Sequence, residues 1–163
     1  DQWTPLVQRN IKVFEPREEA GSPRGWLSPM VVFSFLFVVG LAVSIVDFRR
    51  KKLTTAFDVI LFSVLGMIGL LLTLLWVATD HKAAANNFNL LWALPTHLVA
   101  VIAFIRQPRW LEKYFLLTAM ISTVLLITWP LLPQQLNVAL VPIVMTVVVR
   151  AIAQYFVRSR STL

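Results

Sequence analysis

A chain of 163 residues that is 58% hydrophobic and 14% charged lacks the charge of an ordinary soluble domain, in which about a quarter of the residues are charged. The formal net charge of +7 does not indicate nucleic-acid binding, because the basic residues form short clusters between apolar runs instead of following one face. Membrane topology and anionic lipid headgroups explain such clusters better. The absence of cysteine excludes disulfides, zinc–thiolate sites and a cysteine nucleophile within this chain.

The first segment, residues 1–25, is interpreted as a linker or as the end of an upstream extramembrane domain. Its three prolines oppose a long helix. Because the chain lacks an initiator Met and shows no signal peptide, we expect further protein upstream. Residues 26–163 are predicted to form a second unit, a transmembrane helical domain.

Five apolar segments predict about five transmembrane helices. They run from about Trp26 to Phe48, Thr54 to Thr79, Asn89 to Ile105, Trp110 to Leu132 and Leu136 to Val157. A bilayer crossing needs about 20 apolar residues, and these segments should be helical because no backbone polar group stays unpaired in hydrocarbon. Ser28-Pro29 is a typical helix start. The third segment is the shortest and contains Pro95 and His97.

The loop charges predict the orientation of the helices. Basic residues follow the first, third and fifth segments, and they are Arg49, Arg50, Lys51, Lys52, Arg106, Arg109, Lys113, Arg158 and Arg160. Because positive loops stay in the cytoplasm, the N-terminus is predicted outside and the C-terminus in the cytoplasm. A re-entrant third segment would place Arg158 outside, so this segment is expected to cross the membrane. The predicted fold class is therefore an all-α polytopic membrane helix bundle.

Asp47, Asp58 and Arg150 are charged residues that lie within the predicted spans. Asp47 and Asp58 flank the first basic loop, where pairing with Arg50 or Lys51 is the simplest interpretation. Arg150 is expected to reach the cytoplasmic headgroups with its long side chain, and a buried pair with Asp58 is the alternative. A proton path would need ionisable groups at successive depths, which the spans do not provide. An ion pump is therefore not predicted.

A polar stretch between the second and third segments holds most of the candidate substrate-binding residues. They are Asp80, His81, Asn86, Asn89, Trp92 and His97. In a headgroup or substrate pocket at the outer leaflet, His81 would be an acid/base or hydrogen-bonding group oriented by Asp80. The alternative is that Asp80 and the asparagines cap helix ends. His97 lies about 12 Å deeper than Asn89 if the segment is helical, where an interhelical hydrogen bond is the alternative role.

A second polar turn, residues 133–137, lies at the same predicted side, between the fourth and fifth segments. Its residues Gln134, Gln135 and Asn137 can meet the first stretch across the bundle, which makes Asn137 a further substrate-binding candidate. The alternative is a tight turn with a helix N-cap.

Neither a metal nor a cofactor is expected. Asp80 and His81 are adjacent in sequence, His97 is predicted to lie much deeper, and no second carboxylate cluster lies on the same side. The sequence contains no P-loop, no Gly-rich dinucleotide turn and no serine triad motif.

The two polar stretches share an unusual spacing with a known family. The residues concerned are Trp76, Thr79-Asp80-His81, Asn86, Asn89-Leu90-Leu91-Trp92 and Pro95, followed by Pro133-Gln134, Asn137, Pro142 and Arg150. This pattern resembles the C-terminal membrane region of the Bacteroidota Lnb-type lipoprotein N-acyltransferase family. The opening residues 1–14 and Ser28-Pro29 resemble the join between the two parts of that family's proteins.

The resemblance implies a periplasmic papain-like domain, with a cysteine nucleophile and a histidine base, upstream of the spans. That domain transfers an acyl chain from a phospholipid to the N-terminal amine of a diacylglyceryl lipoprotein. Since this chain has no cysteine, the family's catalytic residues cannot be placed in it, and its status as an enzyme is left open. The part that carries over is the outer-leaflet motif of Asp80, His81, Asn86, Asn89, Trp92 and Asn137.

The leading functional prediction is a membrane module of a lipoprotein N-acyltransferase at the outer leaflet of the bacterial inner membrane. The expected partners are membrane phospholipids, a lipoprotein substrate and a periplasmic catalytic domain or partner chain. The alternative is a non-enzymatic anchor or assembly subunit of a bacterial inner-membrane complex. A small transporter is disfavoured, because charged groups at the midplane are nearly absent.

Overall fold

The computed structural model describes residues 28–78 and 87–161, and these residues form an all-helical bundle without strands. The α-helices are α1 (Pro29–Arg50), α2 (Thr55–Ala78), α3 (His97–Ala103), α4 (Trp110–Thr128) and α5 (Val141–Ser161). Short 3₁₀ helices cover Phe88–Leu91, Trp129–Leu131 and Val138–Leu140. The predicted domain boundary at residues 25 and 26 falls outside the described ranges.

Four stretches within these ranges are long and apolar enough to cross a membrane. They are Pro29–Arg50, Thr55–Ala78, Trp110–Leu131 and Val138–Arg160, with hydropathies between 1.8 and 2.5. The bundle leaves large apolar side chains exposed, including Val77 at 78% and Ile105 at 84%. Soluble monomers rarely expose apolar patches this extensive. The prediction of a polytopic helical membrane protein is confirmed.

The start of α1 follows its sequence signals. The Ser28 side chain accepts a hydrogen bond from the backbone N–H of Val31 at 3.4 Å, and Pro29 lies in the first turn. At the other end, Lys51 adopts a left-handed conformation with φ of 52°, and its N–H donates to the carbonyl of Asp47. The predicted helix start at Ser28-Pro29 is therefore confirmed.

The third apolar segment is not one continuous helix. A 3₁₀ turn, Phe88–Leu91, is separated from the seven-residue helix α3 by a turn that contains Pro95. Proline lacks an N–H group and disfavours helical conformation in the residue before it. Gly69 on α2 makes room for the turn, because a Cβ at this position would overlap the carbonyl of Ala93. The expectation of a plain helix from Asn89 to Ile105 was therefore wrong.

This broken segment nevertheless passes from one end of the bundle to the other. At its start, the N–H of Phe88 donates to the side chain of Gln134, which precedes α5. Past its end, the side chain of Gln107 accepts a hydrogen bond from Arg158, in the last turns of α5. These two contacts are separated by the length of α5, about 30 Å for 21 helical residues. Within the described ranges, the chain therefore passes along the bundle five times, which agrees with the five predicted spans.

The two ends of the bundle differ in chemistry. One end, called the amide end below, contains Asn87, Asn89, Gln134 and Asn137. The opposite end, called the basic end, contains Arg49, Arg50, Lys51, Lys52, Arg106, Arg109, Lys113, Arg158 and Arg160. Buried apolar residues of α2, α4 and α5 fill the space between the two ends, among them Phe62, Leu65, Phe115, Val144 and Val147.

Candidate functional site

The amide end is organised by hydrogen bonds among its own side chains. Asn87 caps the 3₁₀ turn. Its Oδ1 accepts one hydrogen bond from the backbone N of Asn89 at 3.0 Å and another from the side-chain Nδ2 of Asn89 at 2.9 Å. Asn89 Oδ1 in turn accepts a hydrogen bond from Trp92 Nε1 at 3.0 Å. Trp92 is buried, so this indole lies inside the bundle. Among the predicted binding residues, Asn89 and Trp92 are therefore bonded to each other.

The second polar turn joins the first across the bundle. Gln134 Oε1 accepts a hydrogen bond from the backbone N of Phe88 at 2.8 Å, and Gln134 Nε2 donates to Asn87 Oδ1 at 3.4 Å. Asn137 Oδ1 accepts a hydrogen bond from the backbone N of Ala139 at 2.9 Å. The predicted meeting of the two stretches is thus confirmed through Gln134. Asn137 adopts the capping role that was its alternative.

A groove opens beside these residues on the outside of the amide end. Trp76, Phe88, Leu90 and Leu91 give it apolar walls, Asn87 adds an amide, and its volume is about 270 Å³. The mixed lining suits a molecule with both polar and apolar parts. The predicted binding residues Asp80, His81 and Asn86 lie outside the described residues, so their position relative to this groove is a prediction only.

His97 is held at the break in the third segment. Its Nε2 lies 3.2 Å from the carbonyl oxygen of Trp92, and its Nδ1 lies 2.6 Å from the hydroxyl of Tyr114 on α4. Because a carbonyl only accepts hydrogen bonds, Nε2 carries the proton and the neutral ring accepts from Tyr114 at Nδ1. The hydroxyl of Tyr114 then accepts a hydrogen bond from Thr96 at 3.1 Å. His97 therefore makes the interhelical hydrogen bond that was its alternative role.

This arrangement solves a problem created by the broken helix. A backbone carbonyl buried at membrane depth needs a hydrogen-bond donor, since lipid supplies none. The fully buried imidazole of His97 supplies that donor to Trp92, and its ring packs 5.0 Å from the ring of Phe62. The described side-chain hydrogen bonds of His97 run to Trp92 and Tyr114, not to the side chains of the asparagine turn.

A buried charge cluster on the basic side of the bundle was largely missed from the sequence. Arg150 donates from Nε to Asp58 Oδ1 and from Nη2 to Asp58 Oδ2, both at 2.7 Å. Its Nη2 also lies 2.8 Å from Asp47 Oδ2, and its Nη1 donates to Ser44 at 3.0 Å. All four side chains are buried. The expectation that Arg150 reaches the headgroups was wrong, whereas the alternative pairing with Asp58 is confirmed.

The acidic residues of this cluster have further partners. Asp47 Oδ1 accepts hydrogen bonds from the backbone N of Thr54 at 3.1 Å and from its hydroxyl at 2.6 Å. Asp58 also accepts a hydrogen bond from the side chain of Gln154. The predicted pairing of Asp47 with Arg50 or Lys51 is replaced by pairing with Arg150, because α1 turns this carboxylate inward.

The cluster connects α1, α2 and α5, and its geometry is that of a structural clamp. Each guanidinium donor named above points at an oxygen of these helices, and all four carboxylate oxygens of Asp47 and Asp58 accept at least one hydrogen bond. The sequence does contain a signal for this cluster. An arginine lies within the apolar run of residues 138–157, and one aspartate lies near the end of the first span and another near the start of the second. A charge in such a position usually faces the bundle interior and pairs there.

Comparison with known protein families agrees with this architecture. Residues 21–162 match the family of the Lnb transmembrane domain. Neither the curated proteins nor the solved structures contain a match to the chain. The family match includes both polar turns, the broken third segment and the buried Arg150 cluster. The chain therefore belongs to the Lnb transmembrane domain family.

Proposed function

We propose that this chain is the membrane module of a lipoprotein N-acyltransferase in the bacterial inner membrane. Its membership of the Lnb transmembrane domain family is the observation that carries the proposal. The module binds a phospholipid acyl donor and a diacylglyceryl lipoprotein at the outer leaflet, beneath a periplasmic catalytic domain. Because the chain contains no cysteine, the cysteine nucleophile that the family resemblance implies would belong to that domain.

The distribution of charge supports this orientation. The basic loops all lie at one end, which the positive-inside rule assigns to the cytoplasm. The amide end then lies at the outer leaflet, where phospholipid and lipoprotein substrates meet a periplasmic domain. The N-terminal start of α1 lies at this same end, so a domain preceding it would be periplasmic.

The groove at the amide end supports a role in lipid binding. Its apolar walls from Trp76, Phe88, Leu90 and Leu91 match acyl chains, and Asn87 can meet a carbonyl or glycerol oxygen. Gln134 accepts a hydrogen bond from the backbone N of Phe88 and donates one to Asn87, and these bonds hold the turn that carries three of the four apolar side chains. A pre-formed groove would bind lipid without first ordering the turn.

A non-enzymatic anchor or assembly subunit is the second candidate. The observation that favours it is the internal pairing of Asn89 with Trp92 and of Asn137 with its own helix. Polar side chains that are satisfied within the bundle support its architecture without needing a ligand. The groove of about 270 Å³ is the feature that favours the acyltransferase module over this alternative.

The two candidates can be separated by filling the groove. In a strain whose only lipoprotein N-acyltransferase is the full-length protein, Leu90→Trp should block the groove, and Ile127→Trp adds the same bulk to an exposed position on α4. We expect Leu90→Trp to lower N-acylation by about tenfold or more, since a small misplacement of a substrate has effects of this size. Mass spectrometry of lipoprotein N-terminal peptides measures the result at matched protein levels. Equal activity of both variants would favour the anchor.

The predicted polar residues need a second test. His81→Ala and Asn89→Ala in the same strain examine the polar motif, with Gln135→Ala as an exposed control at the same end. If the motif binds substrate, the first two variants lower N-acylation while the control does not. Full activity of both variants would remove these residues from the substrate site.

A further inference from the structure

A cationic cleft lies at the basic end, far from the proposed substrate groove. Four cations and one carboxylate line it, namely Lys51, Lys52, Arg109, Arg158 and Glu112, and its volume is about 300 Å³. The cations come from the α1–α2 loop, the loop before α4 and the end of α5. The cleft therefore gathers positive charge from three separate parts of the chain.

One of these cations is fixed in place by the bundle. Arg158 donates from Nε to the side chain of Gln154 at 2.7 Å and from Nη1 to the side chain of Gln107. Its guanidinium also lies 5.3 Å from the centre of the Phe104 ring. A cation that is already oriented loses little conformational entropy when it meets an anion.

Apolar grooves adjoin the cationic cleft on the lipid-facing surface. One groove of about 590 Å³ shares Pro108 with the cleft and is lined by Val99, Ile102, Ile105 and Trp110. A smaller groove of about 170 Å³ shares Lys51 and Val157 with the cleft and is walled by Phe48 and Phe156. The positive charge thus borders surfaces that suit hydrocarbon chains.

We propose that this cleft binds the headgroup phosphate of an anionic phospholipid in the leaflet at the basic end. An acyl chain of the same lipid lies in one of the two adjoining apolar grooves. Basic pockets between membrane helices on the cytoplasmic side are suited to anionic headgroups. A free phosphate would use only the cationic half of the surface, whereas a phospholipid uses both halves. This lipid is distinct from the acyl donor of the proposed function, because it lies in the opposite leaflet.

Native mass spectrometry of the detergent-solubilised full chain can measure this binding. The probes are phosphatidylglycerol and phosphatidylcholine with identical acyl chains, and inorganic phosphate as a competitor. We expect phosphatidylglycerol to bind more tightly than phosphatidylcholine, and millimolar phosphate not to displace it. Lys52→Gln/Arg109→Gln should weaken phosphatidylglycerol binding about 30-fold, because each basic residue near an anionic surface contributes about fivefold.

Arg49→Gln/Lys113→Gln is the matched control, since it removes the same charge from exposed positions at the same end that do not line the cleft. We expect the control to weaken binding less than about fivefold, because these two charges do not line the cleft and salt screens their exposed side chains. Equal weakening by both pairs would overturn the site in favour of general surface charge. Equal binding of the two lipids, or displacement by phosphate, would also overturn it.

Discussion

Arg150 on α5 and Asp58 on α2 form a two-point ion pair, with Nε 2.7 Å from Oδ1 and Nη2 2.7 Å from Oδ2. Neither side chain has exposed surface. Asp47 on α1 adds a second carboxylate at 2.8 Å from Nη2, so one guanidinium joins three helices. A buried cluster of this kind fixes the rotation of the helices relative to one another.

Loss of the guanidinium should be the most damaging change to this cluster. Arg150→Met leaves two buried carboxylates without their cation, and we expect it to lower the free energy of unfolding by about 3–5 kcal/mol. Asp58→Asn should cost less, because Arg150 keeps Asp47 as a partner. Reversible unfolding in mixed detergent measures both, with the exposed Arg49→Met as a control. A loss below about 1 kcal/mol for Arg150→Met, which is typical of surface pairs, would contradict the clamp.

Gly69 should tolerate a methyl group less well than Gly40. A Cβ at Gly69 overlaps the backbone carbonyl of Ala93, whereas a Cβ at Gly40 meets the side chain of Thr146 at 2.9 Å. Backbone yields less readily than a side-chain methyl, so Gly69→Ala should lose about 1–3 kcal/mol of stability and Gly40→Ala less. Thermal unfolding in detergent ranks the two variants. The opposite order would show that the third segment does not lie against Gly69.

His97 should stabilise the broken segment through hydrogen bonds that phenylalanine cannot replace. His97→Phe leaves the carbonyl of Trp92 and the hydroxyl of Tyr114 without these partners. Each buried group left unsatisfied costs about 1–3 kcal/mol. We expect a larger fall in melting temperature for His97→Phe than for Tyr114→Phe, because Tyr114→Phe removes the partner of Nδ1 and of the exposed Thr96 hydroxyl but keeps the hydrogen bond to the buried carbonyl of Trp92. Equal melting temperatures of His97→Phe and the unmodified chain would exclude this role.

The membrane spans were predictable from the sequence, because long apolar runs indicate directly which residues face lipid instead of water. The predicted second segment, Thr54 to Thr79, agrees with α2 to within one residue at each end. The third segment was harder to predict. The loop charges indicate that it crosses the membrane, but the position of its break depends on the contact of Gly69 in α2 with the turn at Pro95. Contacts of that kind have no local signal in a single sequence.

The roles of individual polar residues were less predictable. The rotation of α1 and α5 decides whether Asp47 and Arg150 face lipid, water or the bundle, and hydropathy does not specify rotation. The asparagines were ambiguous because the same amide that caps a turn can bind a headgroup. In the described part of the site, the alternative role of the asparagines as caps is the one observed for Asn87 and Asn137. Asn89 instead accepts a side-chain hydrogen bond from Trp92.

A third segment that crosses the membrane places the amide and basic ends on opposite sides, and this topology can be tested directly. The chain has no cysteine, so single cysteines can be introduced at the exposed positions Lys52, Arg109 and Gln135 and labelled with a membrane-impermeant maleimide in intact cells. We predict labelling of Gln135→Cys from outside, and labelling of Lys52→Cys and Arg109→Cys only after the membrane is opened. Labelling of Arg109→Cys from the side opposite to Lys52→Cys would mean that the third segment turns back, and would contradict the topology.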